Sequence, residues 1–283
     1  MNNYHKDSFI FFQEVAKRAQ KDISKGEVIQ LGLNLALGCE RLLKGILYDV
    51  NPIYVMIEPD FKHTIQTIYS SRIIDGLKQS KELAKDPNSD VITFSNSIIK
   101  AQFVSKVVFD HKNVLFSIGR ARDIIAHCEL SLLDINNLKE IIIRDFYTMI
   151  DAFANELKIS SSKYFENQEI KLAKLSGSLQ TDLKQKIKLL LESHLKTWQG
   201  NKDNEDYVSK KRNITQNVYA TDEKDKVICP ACLQTALVYL RAIMEFNPNS
   251  MEIHLMGYEA RKLRCFYCKL EVIDPSVLDY LNI

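Results

Sequence analysis

A mainly α-helical fold followed by a small β-containing metal ribbon is predicted by three observations. Apolar residues recur at helical spacing from about residue 4 to residue 158. Prolines in that stretch are confined to positions 52, 59 and 87. Two Cys-x2-Cys pairs, Cys229–Cys232 and Cys265–Cys268, frame the last quarter of the chain. The expected division is a helical bundle over 1–160, a helical extension and polar linker over 161–219, and a ribbon over 220–283. At 283 residues, 46% hydrophobic and 26% charged, the chain has the composition of ordinary globular proteins rather than disordered ones.

In chain order, helices are predicted over roughly 6–22, 27–48, 60–84 with a break, 91–109, 113–130 and 134–157. Short connections between amphipathic helices imply a bundle whose apolar stripes share one core. The second helix turns Leu35, Leu42, Leu43 and Ile46 inward, while Glu40 and Lys44, at i and i+4, can pair on one face. Asp134-Ile-Asn-Asn opens the last helix with polar capping residues. Beyond it, Thr181 to Trp198 reads as an amphipathic helix with Leu183, Ile187, Leu190 and Leu191 along one side. Residues 199–213, QGNKDNEDYVSKKRN, are polar and without apolar periodicity, so a linker or mobile loop is expected.

After Val227 the pattern changes. Leu237–Phe246 and Met251–Met256 mix β-formers with alternation around Asn247-Pro-Asn-Ser250, which predicts a small hairpin between the cysteine pairs. Each pair aims two thiolates at one ion, and four sulfurs close a tetrahedral site with no position left for water. Zinc is therefore expected at Cys229, Cys232, Cys265 and Cys268 in a structural role, and any reaction is sought elsewhere. Cys39 and Cys128 lie in apolar surroundings and read as free core thiols. That usage suits a reducing compartment. With no transmembrane or export segment in view, a cytoplasmic location is expected.

A formal charge of +2 means that any surface for nucleic acid must be local. Lys184, Lys186, Lys188 and Lys210-Lys211-Arg212 are candidates for a phosphate-tracking face. The preferred reading is nevertheless a solvated helix face and a solubilising linker, with phosphate tracking as the sharper alternative. His63, His111 and His194 stand singly and read as surface or partly buried fillers, and His254 as a neighbour of the knuckles.

One constellation can carry chemistry: Gly119-Arg120-Ala121-Arg122-Asp123-Ile-Ile-Ala-His127. Histidine titrates near neutrality and can move a proton to or from a ribose or leaving oxygen. A guanidinium stays charged and can brace a phosphate as charge builds in the transition state. Asp123 lies one turn before His127 and could orient its imidazole. On an ideal helix Arg122 and His127 are about 140° apart, whereas Arg120 shares the face of His127. Arg120 is thus the reserve for Arg122. As a plain structural alternative, Arg122 and Asp123 form an ion pair and His127 packs or caps a helix.

A helical bundle with an upstream Glu-x3-Lys helix and a later Arg-(polar)-x3-His motif resembles the HEPN superfamily. The resemblance covers roughly residues 5–158 and is carried by Glu40, Lys44, Arg122, Asp123 and His127. It implies a metal-independent endoribonuclease acting as a homodimer, with two Arg/His motifs at a shared cleft and a 2′,3′-cyclic phosphate as product. It also implies a toxin-like or antiviral setting. Glu40 and Lys44 are read as a brace or dimer contact beside the site. A four-cysteine ribbon lies outside the family pattern, and some members of the family serve only as binding modules. The alternative expectation is accordingly a non-catalytic adaptor whose ribbon docks a protein or nucleic acid.

Overall fold

The computed structural model describes residues 1–57, 91–217, 223–247 and 252–283. The helix expected over 60–84, together with His63, and most of the turn expected at 247–250 lie outside these residues. What is described is mainly helical, with one four-stranded antiparallel sheet late in the chain. No helix among the described residues is long and apolar enough to cross a membrane.

The bundle is built on α2 (Lys25–Val50), which Ser24 and Glu27 start with a reciprocal capping box. Its apolar stripe buries Leu35, Leu42, Leu43 and Ile46, as the spacing predicts, and Leu31 and Leu47 beside them. Helix α1 (Asn3–Arg18) packs along it. A Cβ at Gly38 would fall 2.6 Å from the Phe12 ring, so glycine is what lets the two helices approach this closely.

The single helix expected over 91–109 is two, α3 (Phe94–Ala101) and α4 (Lys106–Asp110). Capping from one near and one distant residue accompanies the break. Ser105 Oγ accepts the Val108 N–H at 3.2 Å, and the Glu156 carboxylate accepts the Val107 N–H at 3.1 Å. Helix α5 (Lys112–His127) follows, crossing α2 and α3. Next come α6 (Ile135–Glu140), a π-helical turn (Ile141–Asp145) and α7 (Phe146–Glu156), which together replace the one helix expected over 134–157. Asp134 caps this run as expected, accepting the Asn137 N–H at 2.9 Å. The core is completed by Tyr164 and Phe165 of α8 (Ser162–Phe165), with Phe165 edge-on to Phe146 at 5.6 Å.

Helix α9 (Glu169–Gln199) joins the two hydrophobic clusters. Leu172 is buried in the bundle core, and Leu183 and Ile187 are buried in the ribbon core. The expected linker over 199–213 is corrected: α10 (Glu205–Asn217) occupies most of it. Its helicity does not come from an apolar stripe. The Tyr207 hydroxyl donates to the Tyr267 carbonyl at 2.7 Å, and Lys210 pairs with Asp206 at 2.7 Å. The first ties the helix to the ribbon and is invisible to periodicity, while the second is an i, i+4 pair within the helix.

The sheet runs β1 (Lys224–Ile228), β2 (Thr235–Asn247), β3 (Glu252–Arg264) and β4 (Glu271–Val272) in sequence order, all antiparallel. The hairpin of β2 and β3 is far longer than the short one expected, and two register shifts interrupt it. Bulges of this kind bend and twist a ribbon. Ile243 packs against the bundle core, and β3 lies beside α3 and α5.

The last helix, α11 (Pro275–Tyr280), returns to the bundle and caps α5 from a distance of 166 residues in sequence. Asp279 accepts the backbone N–H groups of Asn113 at 3.0 Å and Val114 at 2.9 Å, and the Asn113 side chain at 2.8 Å. Helix α5 has no cap from its own N-terminal neighbour His111, so Asp279 supplies the missing acceptor. Asp279→Ala is expected to cost about 1–2 kcal/mol. Urea unfolding should show it as a lower midpoint, and an unchanged midpoint would refute the trans-capping role.

Candidate functional site

The sequence-selected residues meet where α2 and α5 cross. Lys44 Nζ lies 2.6 Å from Glu40 Oε1, and Arg122 Nη2 lies 3.4 Å from Glu40 Oε2. Arg122 Nη1 lies 3.1 Å from Asp123 Oδ1. Glu40 and Lys44 are not a solvent-washed pair: their side chains are 14% and 9% exposed. At that burial an ion pair is screened less than on an open surface and holds its geometry better. Arg122, 31% exposed, is gripped from two sides and held to one orientation.

His127 is the last residue of α5 and is exposed, with no hydrogen bond or ion pair to any described residue. Asp123 does not hold its imidazole. The carboxylate is turned to Arg122 instead. Arg122 therefore faces α2, while His127 stands at the open end of α5. Cys128, expected as a core thiol, is also exposed there because the helix ends before it; Cys39 is buried as expected, and burial pushes its thiol well above the ordinary value.

Arg120 has a different partner. Its Nη2 lies 2.9 Å from Oε1 of Glu259 on β3, 139 residues away in sequence. Glu259 is buried, and two more guanidiniums approach it: Arg261 at 3.0 Å and Arg241 at 4.0 Å. Burial pushes the Glu259 carboxyl up, against the pull of Arg120 and Arg241. Burial likewise lowers the Arg120 guanidinium, opposed by Glu259. Arg261 falls at a register shift of β3, where a bulge re-aims a side chain. The role of Arg120 as understudy to Arg122 thus meets a physical obstacle: its charge is already used to tie the bundle to the hairpin.

Between α5 and the hairpin lies a cleft of about 320 Å³. Arg120, Asp123, Ile124 and Cys128 form one side, and Arg241, Ile243, Met244 and Glu259 form the other. Glu259, Arg241 and Arg261 were missed at the sequence level. The available signal was the charged residues inside an otherwise alternating hairpin. Nothing local indicated that this face meets α5.

The four cysteines form a second centre. Cys229, Cys232, Cys265 and Cys268 are all buried, with their sulfurs within 4.8 Å of one another, and are positioned to hold a metal ion. The closest pairs are Cys229–Cys268 at 3.6 Å and Cys232–Cys265 at 3.5 Å. The two knuckles repeat one geometry. Cys229 N–H donates to the Gln234 carbonyl and Cys265 N–H to the Leu270 carbonyl, each at 2.8 Å, with Leu233 (φ 61°) and Lys269 (φ 63°) left-handed at matching places. Hydrogen bonds from Cys232, Cys265 and Cys268 hold Cys229 low, while the same kind of contact pushes Cys268 up. Sulfurs packed this closely cannot all ionise without a cation between them.

Helices α9 and α10 brace the second knuckle from outside. His194 Nδ1 lies 2.8 Å from the Cys268 carbonyl oxygen, the Tyr207 hydroxyl donates to Tyr267, and Trp198 stands edge-on to Tyr267 at 5.6 Å. Burial raises the Tyr207 phenol, and the cysteines add to the effect. His194 is thus a support of the four-cysteine centre rather than a filler. His254, expected near the knuckles, pairs with Glu245 in the sheet at the far end of the hairpin.

No family model, curated protein or solved structure matches this chain. The HEPN resemblance therefore rests on five residues, Glu40, Lys44, Arg122, Asp123 and His127, four of which the fold joins in one ion-pair network.

Proposed function

We propose that this protein is a HEPN-type endoribonuclease that cuts RNA by attack of a 2′-hydroxyl, in toxin-like or antiphage defence within a reducing, cytoplasmic setting. The observation that carries the reading is the held Arg122, linked through Glu40 to Lys44, on the same helix as an exposed His127 that has no hydrogen bond or ion pair among the described residues. Side chains paired at such distances across two helices need a reason to be there, and orienting a guanidinium for phosphate is one.

In this mechanism His127 takes the 2′-hydroxyl proton as the ribose O2′ bonds to phosphorus. The bond from phosphorus to O5′ breaks, leaving a 2′,3′-cyclic phosphate. The departing O5′ takes its proton from His127 of the partner subunit, because a single imidazole supplies only one of the two transfers. Arg122 faces the charge that develops on the phosphoryl oxygens. A homodimer also answers the geometry of α5, where Arg122 and His127 lie about 140° apart on one helix. Exposed Leu130 (44%) and Leu132 (66%), just after His127, offer apolar surface to a second copy.

The ion proposed for the cysteine centre is zinc, held by Cys229, Cys232, Cys265 and Cys268. Four thiolates suit its tetrahedral preference, and a closed shell leaves it a structural part. It supplies rigidity to the ribbon, and the reaction runs through side chains of α5.

His127→Ala is expected to lower the rate of RNA cleavage about 100-fold or more, with the fold intact because the side chain is exposed. Cleavage by His127→Ala at the parent rate would end the nuclease reading. A second reading is favoured by the two carboxylates already engaging Arg122: a non-catalytic adaptor in which the bundle dimerises and the ribbon docks a protein or nucleic acid. A pure wild-type dimer that leaves every RNA tried intact decides for it.

A further inference from the structure

The cleft between α5 and the hairpin combines three properties rarely found together by accident. First, arginines are concentrated at it: Arg120 and Arg241 line it beside the two acids Asp123 and Glu259, and Arg261 adds a third guanidinium at Glu259. Three guanidiniums gather around the one carboxylate of Glu259, and Arg120 and Arg261 make the short contacts, at 2.9 and 3.0 Å. Arg241 stands back at 4.0 Å with its side chain 56% exposed, so of the three it is the least committed to Glu259, and it lines the cleft. Asp123, the other acid lining the cleft, is occupied by Arg122.

Second, the cleft has an apolar side. Phe116, Ile124, Ile243 and Met244 line it, and Met244 remains 55% exposed although it belongs to a strand that packs on the bundle. A cation beside an apolar wall is the pairing that a nucleotide needs, one part for its phosphate and one for its base. Third, size and place agree. About 320 Å³ is at the small end of ligand pockets, enough for one residue of a strand rather than a folded partner. Asp123, Ile124 and Cys128 line it, and His127, the last residue of the same helix, falls between Ile124 and Cys128 in the chain.

We propose that this cleft seats one unstacked nucleotide of single-stranded RNA beside the scissile bond, with Arg241 of the ribbon gripping its phosphate. The planar guanidinium donates to two phosphate oxygens at once, which a lysine cannot reproduce. Entry of the base requires that it leave its stack, so single strands are selected over duplex. The ribbon is then half of the substrate site, and its fold, set by the cysteine centre, determines where Arg241 stands. The inference rests on the nuclease reading of α5 and adds a binding residue that lies outside it.

The test uses the full-length chain carrying His127→Ala, so that RNA survives, and a labelled single-stranded RNA of mixed sequence, titrated at several salt concentrations. Adding Arg241→Ala is expected to weaken binding about 10-fold and to reduce the salt slope by about 0.7, the contribution of one phosphate on a single strand. Arg241→Lys should restore the slope but not the full affinity. The exposed position of Arg241 predicts an unchanged unfolding midpoint. Binding within twofold of the parent, no RNA binding by the parent, or equal binding of polyglutamate overturns the proposal. The two readings fail separately. Cleavage that needs His127 but ignores Arg241→Ala removes the cleft and keeps the nuclease. Arg241-dependent binding in a wild-type chain that never cleaves removes the nuclease and keeps the cleft.

Discussion

Loss of the metal from the four-cysteine centre is expected to unfold the ribbon while the bundle core survives. The ribbon core is small: apart from the four cysteines it depends on residues such as Leu183, Ile187, Val238, Leu263, Leu270 and Leu278. A core of that size does not hold a fold unaided. Structural zinc supplies on the order of 10–16 kcal/mol in isolated zinc-finger peptides, and that binding energy is folding energy. Cys265→Ser removes one of four ligands and leaves three buried sulfurs without their counter-ion. The expected result is loss of about one metal ion per chain, together with fast hydrogen exchange throughout β2 and β3. Helices α1, α2 and α7 should retain slow exchange, because their side chains belong to the other cluster. A Cys265→Ser chain with a slowly exchanging hairpin would contradict the structural role. The consequence reaches α5: with the hairpin gone, Glu259 no longer holds Arg120, and one wall of the cleft disappears.

Arg144→Ala is expected to cost about 3–5 kcal/mol, the largest single-residue loss of stability in the bundle. Arg144 sits in the π-helical turn and is 5% exposed. Its Nε and Nη2 bond both oxygens of Asp145 at 3.0 Å, and Nη2 also donates to Ser276 Oγ at 2.6 Å. Ser276 in turn donates to Asp145 at 2.7 Å, and Gln180 of α9 donates to the same carboxylate at 2.9 Å. Three segments distant in sequence, the π turn, α9 and α11, are thereby pinned at one buried point. Removing the guanidinium strands the Asp145 carboxylate in a site 3% exposed, which is far costlier than losing the pair as a whole. The double change Arg144→Met with Asp145→Leu should recover much of the loss. Urea unfolding of the three variants checks both statements, and a single mutant within 1 kcal/mol of the parent (about the worth of one ordinary hydrogen bond) would refute the first.

Local pattern carried much of this fold. Apolar spacing in α2 put Leu35, Leu42, Leu43 and Ile46 inside, and the i, i+4 spacing placed Lys44 on Glu40. The Cys-x2-Cys spacing built both knuckles, because a two-residue turn aims two sulfurs together wherever it occurs. Pattern failed where stability comes from elsewhere. Helix α10 has no apolar stripe and is held by Tyr207 on the second knuckle. The break between α3 and α4 is capped in part by Glu156, which reaches back across about fifty residues of chain.

The Arg/His helix shows the division most clearly. Residue order alone placed Arg120, Arg122, Asp123 and His127 on one helix and set their angular separations, since these follow from 3.6 residues per turn. Which partner each would meet was decided by packing: Arg122 against Glu40 of α2, Arg120 against Glu259 of β3, and His127 with no hydrogen bond or ion pair among the described residues. Helix geometry is a property of neighbouring residues. A charge pair across 82 or 139 positions exists only after the core has brought the two elements together, and the burial that gives such a pair its strength comes from the same packing.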